Sequence, residues 1–412
     1  MGASGQYKWF VVAMLWCVCF LNYADRQLIF TVFPLLGKEF QLTDASLSVL
    51  SASFMCAYAV FGPLGGFLCD RVSRRTLVLG ALIFWSVTTA LTSYAHSYLL
   101  LVAGIALGGL GEAFYFPSAM SLIADYHSVD TRSRAMALHQ SSVYIGSIAG
   151  GAAAGYLGEH YGWRLGFRIF GLAGILLGGA LWLFLKEPLR GMSDAAAGVP
   201  PSTSPLWDGL RAVSRNPAAW LLIGVFIGAN FVAMIFTVWM PTFLFRKFHM
   251  SLSLSGLNGT AYLQIASVIG VISGGFLADN RVRQRKGDRG ARMAVQSFGL
   301  FCGVPFLFLS GWTTTVAAVM AAMIGFGLFK GIYDSNIWAA LYDVTPIELR
   351  GTALGLMNSL GWLGGAAAQL CIGLASKSFG LSACLSATAV IYLCIAIALW
   401  VGSRRISRTQ LS

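Results

Sequence analysis

Long apolar stretches alternate with short polar ones along most of the chain. Twelve stand out, at 9–33, 46–69, 76–95, 98–124, 136–158, 164–186, 218–245, 255–279, 292–312, 315–343, 350–375 and 380–403. Each is close to the ~20 residues that a helix needs to cross the hydrocarbon core of a bilayer. The longest polar interruption, residues 187–217, contains Pro200-Pro201-Ser202-Thr203-Ser204-Pro205 and divides the stretches six and six. The pattern predicts an all-α integral membrane protein with a six-helix bundle over 1–186, a linker over 187–217 and a second bundle over 218–412. Within the linker, residues 206–214 have the pattern of a short amphipathic helix on the membrane surface.

Composition agrees with that reading. Hydrophobic residues make up 57% of the chain and charged residues 11%, with a mean hydropathy of +0.71. A soluble globular surface needs about 25% charged residues. The 48 glycines suit helices that pack closely in lipid. The net charge of +12 invites a nucleic-acid reading, but its distribution is topological. With the N-terminus inside, Lys8, Arg71, Arg74, Arg75, Arg132, Arg134 and most other Lys and Arg fall on the inward side. Only Lys38, Arg164, Arg168, Arg246, Lys247 and Lys377 fall outside. That bias places both termini in the cytoplasm and the chain as a multi-pass protein of the plasma (inner) membrane. The eight Cys lie in apolar stretches without metal-ligand spacing and read as buried small hydrophobes.

The halves repeat one another. Gly65-Gly66-Phe67-Leu68-Cys69-Asp70 is answered by Gly274-Gly275-Phe276-Leu277-Ala278-Asp279. Gly109-Leu110 with Glu112 and Tyr115 is answered by Gly327-Leu328 with Lys330 and Tyr333, and Arg134 with Ala137-Leu138 by Arg350 with Ala353-Leu354. Parallel six-helix repeats are a plan of secondary transporters.

Asp25, Arg26, Glu112, Lys330 and Asp334 lie well inside predicted helices. A charge at mid-membrane costs roughly 2.5–3.5 kcal/mol on insertion scales and commonly marks a substrate or ion path. Asp25 and Arg26 are adjacent, so their side chains leave the helix about 100° apart and address different partners. Lys330 and Asp334 are one turn apart: either they neutralise each other, or Lys330 faces a cavity and binds an anion. His139 with Gln140, together with Tyr115, Asn336 and Asn358, are further candidates for contact with a substrate. The five His are scattered, and there is no Gly-x4-Gly-Lys-[Ser/Thr] loop. We therefore expect no enzyme, no metal, no cofactor and no ATP-driven pump.

Gly66-x3-Asp70-Arg71-x-Ser73-Arg74-Arg75 closely resembles the signature loop of the major facilitator superfamily, with Ser73 where a second Gly is usual. The resemblance covers essentially the whole chain. It implies two pseudo-symmetric six-helix bundles, alternating access, a monomer, and a cytoplasmic latch to which Asp70, Arg71 and Arg134 correspond. Arg74 and Arg75 read as positive-inside decoration. Two branches compete. Leu21-Asn22-Tyr23-Ala24-Asp25-Arg26, Gly111-Glu112-Ala113 and Phe116-Pro117 resemble the anion:cation symporters, which carry sugar acids and related anions with protons. Asn22 to Arg26, Phe84-Trp85-Ser86, Leu122-Ile123-Ala124-Asp125, Arg132-Ser133-Arg134 and Glu187-Pro188 also resemble the Spinster branch, whose members move lysophospholipids and similar amphiphiles. Both commonly carry an Arg seven residues before the fourth-helix Glu, and here that position is Ile105.

The resemblance sets the first and fourth helices together, which makes Arg26 and Glu112 a natural ion pair. We expect Asp25 and Glu112 to exchange protons, with Glu112 taking one as Arg26 moves away. The leading expectation is proton-coupled symport of a small organic anion such as a sugar acid or other carboxylate. The alternative is transport of a lysophospholipid or other amphiphilic lipid. Its partners are then protons, the substrate and the bilayer, with no nucleic acid.

Overall fold

The computed structural model describes residues 6–69, 71–188, 211, 213–284, 290–346 and 349–411. Among them every regular element is helical. The first half has α1 (Tyr7–Thr31), α2 (Phe33–Glu39), α3 (Asp44–Cys69), α4 (Arg74–Thr92), α5 (Tyr98–Glu112), α6 (Tyr115–Tyr126), α7 (Val129–Tyr161) and α8 (Trp163–Phe184). The second has α9 (Pro217–Phe248), α10 (Leu252–Gln284), α11 (Gly290–Trp312), α12 (Val316–Asp334), α13 (Ile337–Val344) and α14 (Arg350–Leu411).

Among the described residues ten segments are long and apolar enough to cross a membrane. The last, Thr352–Ile406, is two arms that meet at Gly380, and the 33-residue α7 supplies a further span. Twelve spans result. Gly162 separates α7 from α8 with φ +83° and ψ +155°, and Gly380 kinks α14 with φ +76° and ψ +154°. An L side chain rarely adopts that conformation. The same interval along the chain separates these glycines as separates Glu112 from Lys330, so the repeat extends to the backbone of a turn.

The chain forms two compact units, Met1–Pro201 with Met250–Leu257, and Ser202–His249 with Asn258–Ser412. Most of the expected linker, including nearly all of the amphipathic segment 206–214, lies outside the described residues.

In the first unit α1 packs on α7, α3 on α5, and α4 on α5 and α8. Glycines set these distances. A Cβ on Gly146 or Gly150 of α7 would run into the backbone of Phe20 or Ala24 on α1, and one on Gly109 of α5 into the Phe54 carbonyl on α3. In the second unit α14 packs on α9 and α11, and Gly270 and Gly331 bring α10 and α12 to backbone contact. Such small-residue contacts replace the hydrophobic drive that lipid removes.

Two spans read as continuous, 98–124 and 315–343, are broken. Ala113 and Phe114 form a turn between α5 and α6. Pro117 has no N–H for the Ala113 carbonyl, which removes one rung of the helical ladder. In the second unit Ser335 and Asn336 interrupt the helix. There the Ser335 hydroxyl donates to the Ile332 carbonyl, a local bond that competes with the ladder, and the Asn336 amide donates across to the Gly274 carbonyl on α10. The cysteines also differ from expectation. Cys17, Cys56, Cys371 and Cys394 are exposed, while Cys19 and Cys69 are buried.

Gly150→Leu is expected to lower the melting temperature of the detergent-purified protein sharply. Overpacking costs about 1–3 kcal/mol and more against backbone. Gly179→Ala, where a Cβ meets nothing within 4 Å, is expected to leave it unchanged or raise it. Equal shifts in the two variants would remove the close-contact account.

Candidate functional site

The first unit holds an ion pair deep among apolar helices. Arg26 on α1 is 6% exposed and Glu112, the last residue of α5, is 3% exposed. Arg26 Nε donates to Glu112 Oε2 at 2.5 Å. Three aromatic rings surround the guanidinium, with centroids 4.5 Å (Tyr23), 5.2 Å (Phe54) and 5.0 Å (Tyr58) away. Each ring presents a negative face to the cation, an attraction of roughly 0.5–2 kcal/mol that grows with desolvation. Tyr23 lies one turn before Arg26, while Phe54 and Tyr58 are one turn apart on α3. The Tyr23–Arg26 spacing was readable as a helical neighbour pair. The Phe54 contact was not, because it needs α1 and α3 side by side.

Asp25 points elsewhere. It is 3% exposed, and neither carboxyl oxygen has a hydrogen-bond partner among the described residues. The indole N–H of Trp85 on α4, also unpartnered, is the donor within its reach. Ile105, where an Arg is usual, is buried in α5.

Tyr115 and His139 are inside the bundle. The Tyr115 hydroxyl donates to the Leu15 carbonyl at 2.7 Å and lies 2.9 Å from His139 Nε2. Gln140 is exposed.

In the second unit Lys330 and Asp334 form an ion pair on α12, both partly exposed. The contact runs along one helix, between residues one turn apart. Asn336 is buried, donating to Gly274 O at 3.3 Å and Ser335 Oγ at 2.6 Å. Asn358 on α14 is half-buried.

Of the latch residues, Asp70 lies outside the described residues. Arg71 donates to Phe67 O at 3.2 Å and stacks 3.6 Å over the Phe67 ring, and Arg134 is exposed. Arg74 is more than surface decoration: it forms an ion pair with Asp125 at the end of α6 and donates to Ser121 O at 3.2 Å. Glu187 accepts the backbone N–H groups of Arg74 (2.9 Å) and Arg75 (2.7 Å) and the Ser73 hydroxyl (2.8 Å), a carboxylate seated on the start of α4. The second unit repeats the Arg–Asp contact: Arg292 Nε lies 3.2 Å from Asp343, and its Nη1 is 3.4 Å from Asp279 and 3.3 Å from Asn336 Oδ1. Arg74 and Arg292, like Asp125 and Asp343, are separated by the interval that separates Glu112 from Lys330. That shared interval was the signal, unused at the level of sequence, by which both pairs could have been found.

The model of the Major Facilitator Superfamily matches residues 15–369. The chain belongs to the major facilitator superfamily. It is 31% identical over 361 residues to the human "Protein spinster homolog 1", spanning 83% of this chain and 67% of that protein. It is 28% identical over 380 residues to the "Sodium-dependent phosphate transport protein 1, chloroplastic" of Arabidopsis thaliana, spanning 87% and 72%. Its branch within the superfamily is the Spinster-like one. The crystal structure of a bacterial homolog to the human lysosomal transporter Spinster, inward-facing and unoccupied, matches with a TM-score of 0.84. That match covers 98% of this chain and 99% of the other at 21% identity, and it carries the fold. As a superfamily member the chain is a multi-pass membrane transporter that works by alternating access, and it is not an enzyme.

Within that fold the Arg26–Glu112 pair has a measurable signature. Removing one partner of a buried pair costs about 3–5 kcal/mol, whereas replacing both by apolar residues is often neutral. Glu112→Ala is expected to destabilise the purified protein strongly, and Arg26→Met with Glu112→Leu to recover most of the loss without restoring transport. Transport by the double variant would reduce the pair to a structural tie.

Proposed function

We propose that the chain is a proton-coupled symporter whose substrate carries an anionic group. The observation that carries this reading is the buried Arg26–Glu112 pair at 2.5 Å. When Glu112 takes a proton, the attraction to Arg26 falls and the guanidinium becomes available to a substrate anion. When the proton leaves, the pair re-forms and expels the anion. Asp25, buried beside Trp85 and facing away from Arg26, is a second proton carrier on the same helix. The Coulomb energy of such a pair is several-fold larger here than in water, so one proton has leverage over the link between α1 and α5. Asp70, Arg71 and Arg134 are assigned to the cytoplasmic latch. The Lys and Arg bias supports cytoplasmic termini in a plasma (inner) membrane, and one chain with both halves supports a monomer as the working unit.

Two substrate classes share the required anion. An amphiphile with an anionic head, such as a lysophospholipid, is favoured by three observations. The cation that would meet the head is enclosed by Tyr23, Phe54 and Tyr58, Lys330 already pairs with Asp334, and the human relative at 31% identity is a Spinster protein. A small organic anion, such as a sugar acid, is the second reading. It would use Lys330 as an additional docking charge, with Asp334, Asn336, Asn358, His139, Gln140 and Tyr115 as the polar residues assigned to it.

Glu112→Gln is expected to abolish uptake driven by a pH gradient in proteoliposomes while substrate binding persists, and unchanged proton coupling would overturn the proton role. Thermal stabilisation in nanodiscs by sugar acids, other carboxylates and lysophospholipids separates the substrates. A ligand at a hundred times its Kd adds about 2.7 kcal/mol of apparent stability. Stabilisation by lysophospholipids alone supports the amphiphile. Stabilisation by carboxylates that disappears in Lys330→Ala supports the small anion.

A further inference from the structure

The break after Glu112 is followed at once by a buried tyrosine. Tyr115, the first residue of α6, is 1% exposed, and it touches three other helices. Its hydroxyl donates to Leu15 O on α1 at 2.7 Å, its ring meets Trp85 of α4 edge-on at 5.7 Å, and His139 Nε2 of α7 stands 2.9 Å from its oxygen.

A phenol has one proton to give. Leu15 O can only accept, so that proton goes there, and His139 must donate its own Nε2–H to the Tyr115 oxygen. The neutral imidazole then has its lone pair at Nδ1. That nitrogen is buried without a hydrogen-bond partner, on a side chain that is 0% exposed. Leaving a buried acceptor unsatisfied costs on the order of 1–3 kcal/mol, which an apolar side chain of similar size would avoid. A His retained only to fill space is therefore a poor solution. The repeat supports the same conclusion: the interval that matches Asp125 to Asp343 and Gly162 to Gly380 puts Met357, 1% exposed, at the place of His139. The second half fills that position with an apolar side chain.

We infer that His139 is a positioning residue: through Tyr115 it fixes the α5–α6 break, and with it the placement of Glu112 against Arg26. The chain of contacts is short. His139 Nε2 holds the Tyr115 oxygen, Tyr115 ties α6 to α1, and Glu112 is three residues before Tyr115 across a turn whose ladder Pro117 has already weakened. Without the imidazole donor the hydroxyl keeps Leu15 as its one anchor, and the break can shift. The inference takes from the reading above only that Glu112 matters, and its test requires neither substrate nor proton gradient.

The test is a double-mutant cycle on the melting temperature of the full-length protein in nanodiscs, pairing substitutions of His139 with Glu112→Gln. Independent sites add, and coupled ones do not. If His139 positions Glu112, the shift of His139→Leu with Glu112→Gln falls well short of the sum of the single shifts. His139→Gln, whose side-chain amide can donate from about the place of Nε2, restores the wild-type melting temperature and the wild-type effect of Glu112→Gln. His139→Asn, which reaches only the place of Nδ1, behaves like His139→Leu. Should His139→Leu fail to fold, Tyr115→Phe enters the same cycle. Additive shifts, or equal behaviour of the Gln and Asn variants, overturn the inference. Additivity combined with loss of proton-driven uptake in Glu112→Gln would overturn it while leaving the proposed function standing.

Discussion

A guanidinium cannot be left alone in a medium without water, and much of the first unit follows from where Arg26 finds compensation. The carboxylate of Glu112 supplies the charge, and the rings of Tyr23, Phe54 and Tyr58 supply a polarisable surround. To bring these groups together, α1, α3 and α5 have to approach to within side-chain reach of one another. Glycine makes the approach possible, since Gly109 lets α5 press on the Phe54 backbone and Gly146 and Gly150 let α7 press on α1. Contacts this close tolerate few arrangements. The helices that carry the charges are thus held as a unit, and the charges in turn determine how closely that unit can settle.

The break between α5 and α6 puts that arrangement at a mechanically special place. Glu112 is the final residue of one helix, and α6 begins two residues after it, at Tyr115. The far end of α6 is tied to α4 through Asp125 and Arg74, and α4 is itself capped by Glu187. A short helix pinned at both ends ties the position of Glu112 to that of the Arg74–Asp125 pair. The second unit has the same parts, with α13 between the Asn336 break and the pair formed by Asp343 and Arg292.

Much of this was legible before any coordinates. The twelve spans and the adjacency of Arg26 and Glu112 followed from hydropathy and the resemblance of a few motifs. The helix breaks did not, because Pro117 acts on a carbonyl four residues earlier in a stretch whose hydropathy never falters. The Arg74–Asp125 pair was hidden for a different reason. An arginine at the end of a membrane helix has an adequate explanation in charge bias, and only the matching interval to Arg292 and Asp343 sets it apart. His139 and Tyr115 read as possible substrate contacts because polar groups in apolar helices suggest a lining. Periodicity gives the face of a helix but not its neighbour, and here the neighbours are α1, α4 and α7.

The repeat also shows where the halves part company, and the difference bears on how a change of charge acts in each. In the first unit the buried pair joins two helices, so breaking it releases α5 from α1. In the second, Lys330 and Asp334 pair along α12 itself, and α9 carries no Asp, Glu, Lys or Arg between Pro217 and Phe245. An ion pair within one helix can open and close while the helix axis stays where it is. The same framework, with Tyr115 matched by Tyr333 and Gly162 by Gly380, therefore has an interhelical electrostatic tie in one half and a local one in the other. A proton arriving at Glu112 changes a force between two spans. A proton arriving at Asp334 changes chiefly the charge that α12 presents and leaves the helix axis where it is.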